Sequence, residues 1–355
     1  MQKICFFNTA KAWGGGEKWH LEISSYLHEK GYPVFVIAHE DSELFKRLKI
    51  KEIPCKGISI NNLSFLNPIK CIAIKNLFIF LEITAIVMNL SRDLKIAGPA
   101  AKKAGIKRII YRRGSAIPIK NTVLNRYYFK TILTDVLANS EATKKTVTVN
   151  NEFLFNKERI KIIYNGIEIE EVKTSYKNEI FTLLNLGRLE YQKNQEFLIL
   201  LALELKKREI SFKILIGGEG GLKRKLQDLI ENLNLTKQVE LVGFIENPTA
   251  FINQCDVFAL PSLWEGFGYV LAEAALCKKP IVAFNISSNP ELVIDGDSGY
   301  LTPSGDLEKF ADKVVLLYKS EKERKRMGQI GFEHIKRNFN KKIQLKKIED
   351  YLING

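Results

Sequence analysis

The sequence predicts an α/β protein built from two doubly wound, Rossmann-like domains. Three observations carry that prediction. Short, continuously apolar runs such as "KICFFNTA", "YPVFVIAH", "FKILIGG" and "DVFALPS" alternate with segments of helical period. Strands that are apolar on both faces belong to parallel sheets covered by helices on each side. The alternation breaks at the polar stretch 166–179 and then restarts. The chain, 355 residues with 46% hydrophobic and 26% charged, has room for two such domains.

The elements follow in order. "KICFFNTA" is a strand, and "GGGEKWHLEISSYLHEKG" is a loop and a helix closed by Gly31. "YPVFVIAH" and the helix "SELFKRLKI" come next. The most apolar window, 71–90, is interrupted by Lys75 and Glu82. A membrane-spanning helix needs roughly 20 mostly apolar residues, so this window reads as a helix followed by the buried strand "ITAIVMNL". A helix through "DLKIAGPAAKKAG", the strands "KRIIYRR" and "TDVLANS", a helix at "EATKKTVTV" and "IKIIYNGI" complete the first domain, 1–170. The second, 171–335, runs from "IFTLLNLGR" through repeated helix–strand units to "GYLT", and 336–355 is a last helix.

Five scattered cysteines form no Cys-x-x-Cys pair, which indicates a reducing compartment and neither a zinc site nor a disulfide framework. The N-terminus enters a strand directly, without the apolar core or cleavage site of a signal peptide. A cytoplasmic location is expected. The net charge of +14 suits an anionic membrane surface or phosphorylated substrates, although lysines on solvated helix faces explain it too. No aromatic-interleaved basic groove or nucleic-acid motif is present, so no nucleic-acid partner is expected.

In doubly wound sheets, ligands bind beyond the carboxyl ends of strands, and unusual loops sit at those ends. "WGGGEKWH" is a glycine-rich turn opening a helix, able to face a phosphate or a sugar with backbone N–H groups, or simply a tight turn. It lacks the Gly-x-Gly-x-x-Gly spacing of a dinucleotide fingerprint. "NLGRLEYQKN" puts Arg188 and Lys193 on one strand-end loop, where a planar fork and a point charge suit a diphosphate, although such pairs taken alone are usually solvated. "SLWEGFGYVLAEA" places Glu265 and glycines on a strand-to-helix turn and Glu273 inside the helix, a pattern that suits a polyhydroxylated, phosphorylated ligand or, equally, a tight turn with one surface and one solvated core-facing glutamate. Asp295-Gly-Asp297 matches a metal–diphosphate pattern but reads as a surface turn. The four histidines have no ligand spacing, and no Ser-His-Asp or Cys-His set is present, so neither a metal nor a cofactor is expected. His39 follows a strand and reads as satisfied or solvated.

Taken as an ordered set, "GGGE", "YNGI", "GRLEYQKN", "GGEG", "LVGF", "PSLWEGFGYVLAEA", "NPELV" and "GYL" resemble the retaining glycosyltransferases of family 4. The resemblance covers essentially the whole chain and is strongest over 185–302. It implies the GT-B fold, with two domains facing a central cleft, the first binding acceptor and the second the nucleotide-sugar. It implies that Arg188 and Lys193 hold and neutralise the donor diphosphate, and that Glu265 contacts sugar hydroxyls. Gly266, Phe267 and Gly268 would offer backbone N–H groups, and Glu273 would accept from the ribose. Gly15 and Gly16 would close over the diphosphate, Gly243 and Phe244 would border the base, and Glu291 would be the acidic residue at the next helix start. The last helix would pack back on the first domain.

The implied reaction moves a sugar from a nucleotide-sugar, a UDP-sugar before a GDP-sugar, to a saccharide or lipid-linked saccharide. It proceeds with retention and without metal, in cell-surface glycan synthesis such as that of lipopolysaccharide, capsule or exopolysaccharide. Many relatives carry a histidine where this chain has "YRRGSAIP", so that role is not carried over. Glu17, Arg112 and Arg113 stand as acceptor-side candidates, the arginines equally readable as ordinary strand-end cations. An epimerase or phosphorylase of the same fold, or a polyanion-binding protein, are the alternatives.

Overall fold

The computed structural model describes residues 2–169 and 178–354. It resolves into one compact unit of Met1–Asn165 with Lys342–Gly355 and another of Gly166–Lys341. The expected domain border at 170/171 lies outside the described residues.

The first unit contains β1 (Ile4–Asn8), α1 (Gly15–Glu29), β2 (Val34–Ala38), α2 (Glu43–Ile50), β3 (Cys55–Gly57) and α3 (Pro68–Phe80). Then follow β4 (Ala85–Met88), α4 (Ser91–Lys103), β5 (Arg108–Arg113), α5 (Val123–Tyr127), β6 (Asp135–Ala138), α6 (Glu141–Thr148) and β7 (Ile160–Ile162). The strands form one seven-stranded sheet ordered β3-β2-β1-β4-β5-β6-β7. Every pairing is parallel, for example Phe6 opposite Val36 and Val87. The central β1 is buried along its whole length, which is why "ICFFN" has no polar face until Asn8.

Alternate β1 side chains feed two separate cores. Phe7 joins α3 and α4 on one face, while Ile4 and Phe6 join α1 and α2 on the other. A fully buried aliphatic or aromatic side chain contributes about 1.5–3 kcal/mol, so these two layers hold the unit together. Pro99 sits inside α4 and removes one donor from the helix ladder.

The second unit contains β8 (Phe181–Leu186), α7 (Gln195–Lys207), β9 (Phe212–Gly217), α8 (Lys223–Asn232), β10 (Val239–Gly243), α9 (Pro248–Ile252) and β11 (Val257–Leu260). It continues with α10 (Tyr269–Leu276), β12 (Ile281–Phe284), α11 (Asn289–Leu292), β13 (Gly299–Thr302), α12 (Leu307–Lys319) and α13 (Glu321–Asn338). Its sheet is ordered β10-β9-β8-β11-β12-β13, again parallel. The order turns outward from β8 in both directions. The carboxyl ends of β8 and β11 therefore lie side by side at the switch point, the place where such sheets bind ligands.

The last helix, α14 (Lys341–Asn354), belongs to the first unit for nearly all its length. Ile348 and Leu352 complete the core under α1. Glu349 anchors it, accepting from Lys30 Nζ at 2.7 Å, Tyr26 Oη at 2.8 Å and Tyr32 Oη at 3.0 Å. The Lys30 contact, ahead of the tyrosines, pulls the Glu349 carboxyl down to about 2.

Among the described residues, no helix is long and apolar enough to cross a membrane. The apolar window 71–90 resolves into most of α3 and all of β4.

Candidate active site

The loop after β8 and the loop after β11 are laced together. Gln192 Nε2 donates to the Trp264 carbonyl at 2.8 Å, and Leu263 N donates to the Gln192 carbonyl at 2.8 Å. Asn194, in the left-handed region at φ 52°, donates from Nδ2 to the Pro261 carbonyl at 3.2 Å. This lacing brings Lys193 and Glu265, 72 positions apart, into an ion pair at 2.6 Å. Both are nearly enclosed, with side chains 13% and 7% exposed. Arg188 differs: its guanidinium is open to solvent and pairs with Glu190 at 3.0 Å. The turn thus presents one exposed cation and one nearly enclosed cation, each paired with a carboxylate.

The loop after β9 braces this arrangement from the other side. Leu189 N donates to the Glu219 carbonyl at 2.9 Å, and Leu222 N donates to the Leu189 carbonyl at 3.0 Å. Gly218 lies at φ +135°, and a Cβ there would stand 2.0 Å from the Gly187 carbonyl oxygen. Only glycine permits that approach. Gly243 ends β10 with a positive φ, and Phe244 beyond it is 77% exposed, an apolar ring with solvent around it.

Gly268, at φ 75°, turns the chain into α10 without any side-chain cap. Within the first turn of that helix, Leu271 N donates back to the Gly268 carbonyl at 2.9 Å. Gly266 precedes it. The Phe267 ring is buried, edge-on to Tyr269 and tilted against Phe339, so only its backbone is available to a ligand. Glu273 lies one turn into α10 and is partly exposed. Glu291 lies in α11, and its carbonyl meets His334 Nε2 at 2.9 Å.

The first unit holds the glycine-rich turn. Gly15 and Gly16 are the first two residues of α1 rather than a loop before it. Gly16 runs against Asn89, since a Cβ there would be 2.4 Å from Asn89 Nδ2. Glu17 is buried and accepts from Asn8 Nδ2 at 3.0 Å.

Arg112 is only 3% exposed. Its guanidinium lies over the Trp19 ring at 4.5 Å and donates to Asn89 Oδ1 at 2.8 Å and Asn165 Oδ1 at 2.9 Å. It therefore supports Asn89 and, through it, the start of α1, instead of meeting solvent as a strand-end cation does. Arg113 curls back onto the carbonyls of Ser115 and Ile117 and shapes the segment after β5. His39 is buried, and its Nδ1 accepts from Asp41 N at 3.1 Å.

Residues that sequence reasoning passed over complete both turns. Gln192 and Asn194 are such residues, quoted in the motif but given no part. Asp93 is another: fully buried, it accepts from Thr9 N at 3.1 Å and from the Thr9 hydroxyl, fixing the start of the β1–α1 turn. Burial pushes its carboxyl up to about 7, against the opposing effect of the Thr9 donors. An acidic residue in the first turn of a helix after a buried strand is a signal for it, but helix-start acids are common. In the Asp295–Asp297 turn, Asp295 accepts from Leu301 N at 2.9 Å and Asp297 lies 3.5 Å from Arg326 Nη1. Among the described residues, no group of three or more His, Cys, Asp or Glu side chains is gathered as for a metal ion.

Two family models divide the chain between them. "Glycosyltransferase Family 4" matches residues 13–171, and "Glycosyl transferases group 1" matches 167–334. An uncharacterized glycosyltransferase of Methanocaldococcus jannaschii is 30% identical over 253 residues, which is 69% of this chain and 66% of its own length. The N-acetylgalactosamine-N,N'-diacetylbacillosaminyl-diphospho-undecaprenol 4-alpha-N-acetylgalactosaminyltransferase of Campylobacter jejuni is 27% identical over 343 residues, 92% of each chain. The crystal structure of Anabaena HepE in complex with UDP superposes with a TM-score of 0.86 over 100% of both chains at 22% identity, which establishes the shared fold.

Proposed function

Since the chain belongs to the family 4 glycosyltransferases and has their fold of two Rossmann-like domains, we propose that it transfers a sugar from a nucleotide-sugar to a saccharide or lipid-linked saccharide in the synthesis of a cell-surface glycan. The observation that carries this reading is the switch-point cluster: Arg188, the Lys193–Glu265 pair and the uncapped start of α10, all at adjacent strand ends. Its parts divide by chemistry. Arg188 and Lys193 supply positive charge for a diphosphate, and the positive end of the α10 dipole adds to it. Glu265, already holding Lys193, offers its second oxygen to sugar hydroxyls. Glu273, one turn along, reaches the ribose. Gly15 and Gly16 keep the diphosphate role as backbone donors, and Phe244 gives an exposed ring for the base.

In the reaction the bond from the anomeric carbon to the diphosphate breaks, and the acceptor oxygen bonds to that carbon on the same face. The acceptor proton leaves with the departing phosphate oxygen. Charge developing on the diphosphate is stabilised by fixed cations, and this donor set does it without a metal. UDP is the favoured nucleotide, a preference supported by the UDP complex of Anabaena HepE. An acceptor on a lipid diphosphate is supported by the name of the Campylobacter relative. The charge of +14 suits work at an anionic membrane surface.

The test is a thermal-shift titration with UDP, GDP, ADP, CMP and their sugar conjugates, with and without magnesium, on wild type and Glu273→Ala. A ligand that binds only the folded state raises the melting temperature. We expect a magnesium-independent shift with UDP that Glu273→Ala removes. No shift with any nucleotide overturns the donor-site assignment.

A further inference from the structure

The first unit carries a cavity that the donor chemistry leaves unused. It has a volume of about 430 Å³ and lies beyond the carboxyl ends of β4 and β5. Lys95, Arg113 and Lys120 line it, together with Ser91 at the start of α4. Leu94, Ile119, Leu124 and Phe129 supply an apolar wall. No acidic side chain lines it. The surrounding sequence has the same bias: residues 94–134 contain no Asp or Glu, while Lys and Arg recur along them.

The two lysines have few competing partners. Among the described residues, Lys95 and Lys120 make no ion pair, and Lys95 rests 5.5 Å from the Phe65 ring. Arg113 donates from Nη2 to the Ser115 and Ile117 carbonyls, while its Nε is buried without an acceptor.

The rim is apolar and open to solvent. Leu124, in the wall itself, is 46% exposed, and Ile117, Val123 and Tyr127 beside it are exposed as well. Leu63 and Leu66, flanking the Phe65 that Lys95 covers, are exposed too. Exposed apolar side chains clustered around a cationic cavity fit an amphipathic anion.

We propose that this cavity is the acceptor subsite for a diphosphate ester carrying an apolar chain: Lys95, Arg113 and Lys120 take the diphosphate, and the Leu124 rim takes the start of the chain. The assignment rests on the transferase reading, and it names the class of acceptor. It also places a lipid-linked saccharide with its anionic linkage on the first unit.

The probe is geranyl diphosphate, titrated calorimetrically into the full chain in saturating UDP, so that the donor site is filled. It should bind more tightly than inorganic pyrophosphate. Lys95→Ala/Lys120→Ala should weaken it about tenfold or more, because charge-assisted contacts are lost. Leu124→Ser should weaken geranyl diphosphate and leave inorganic pyrophosphate unchanged. The UDP thermal shift of each variant should equal that of wild type, which shows that the fold is kept.

Wild-type affinity in the double variant overturns the proposal. So does equal affinity for inorganic pyrophosphate and geranyl diphosphate, which would mean a plain phosphate site. Equally effective competition by short-chain phosphatidylglycerol overturns it as well, by assigning the surface to lipid headgroups in general. If UDP fails to bind wild type, the transferase reading falls, while the variant titrations still decide the cavity.

Discussion

Replacing Lys193 with alanine strands the Glu265 carboxylate in a nearly enclosed position, 7% exposed, with its 2.6 Å partner gone. At that separation, two unit charges attract by about 6 kcal/mol at an effective dielectric of about 20. Desolvation of both groups cancels much of that attraction in the intact pair. Removing one partner leaves the other's desolvation uncompensated, a loss of about 3–5 kcal/mol for buried pairs. The residual exposure admits some water, so we place the cost of Lys193→Ala near the lower end, about 3 kcal/mol.

A unit of this size melts about 2–4 °C lower per kcal/mol, which gives a fall of about 6–12 °C. Differential scanning calorimetry should show it only in the transition of the second unit, since two units need not melt together. Glu265→Ala and the double variant close the cycle. The double variant should be less destabilised than the sum of the singles by about 2 kcal/mol. A fall of under about 2 °C for Lys193→Ala, or additive singles, would refute the claim that this pair is enclosed and coupled.

Two further outcomes test the turns. Gly218→Ala forces a Cβ to within 2.0 Å of the Gly187 carbonyl oxygen at a φ of +135°, so the loops after β8 and β9 must part. We expect a loss of about 3 kcal/mol or more and UDP affinity at least about tenfold weaker, with far-UV circular dichroism unchanged; wild-type UDP affinity would contradict the bracing role. Asp93 has a folded-state value of about 7, above its ordinary 3.8. Ionising it disfavours the fold increasingly from about pH 4 to pH 7, and the penalty is constant above that range. Asp93→Asn should therefore gain on wild type in melting temperature between about pH 5 and pH 8, and an equal gap at both would exclude the buried carboxyl as the cause.

The sheets were legible because their strands are short and apolar throughout. β1, β2, β9 and β11 all fall within runs that composition alone marks as buried strands. The ligand-end loops were legible as motifs, but not as contacts. Nothing local in "GRLEYQKN" or "SLWEGFG" says that Lys193 meets Glu265, because the lacing runs through side chain-to-carbonyl bonds from Gln192 and Asn194. Arg112 shows the converse. A cation at a strand end normally points to water, and its burial depends on Trp19, Asn89 and Asn165, each from a different part of the chain.

Residues 114–134 have no clean period, so α5 and the wider-coiled turn at Tyr128–Ile132 gave no signal. The helices α12 and α13 were passed over for a different reason: they follow the last strand, and strand–helix alternation says nothing beyond it.

The chain leaves the first unit at 165, builds the whole second unit and returns at 342. A ribosome therefore releases the second unit complete while the first still lacks α14, with the surface around Leu27, and the ring of Lys30, Tyr26 and Tyr32, uncovered. Domains fold as units when their residues are available, so the N-terminal domain should be the later of the two to reach its final packing. A chain cut before 342 would then damage the domain far from the cut in sequence and spare the adjacent one. The same topology makes residues 1–165 alone a poor fragment for study, whereas a fusion of 1–165 to 342–355 through a short linker should restore it.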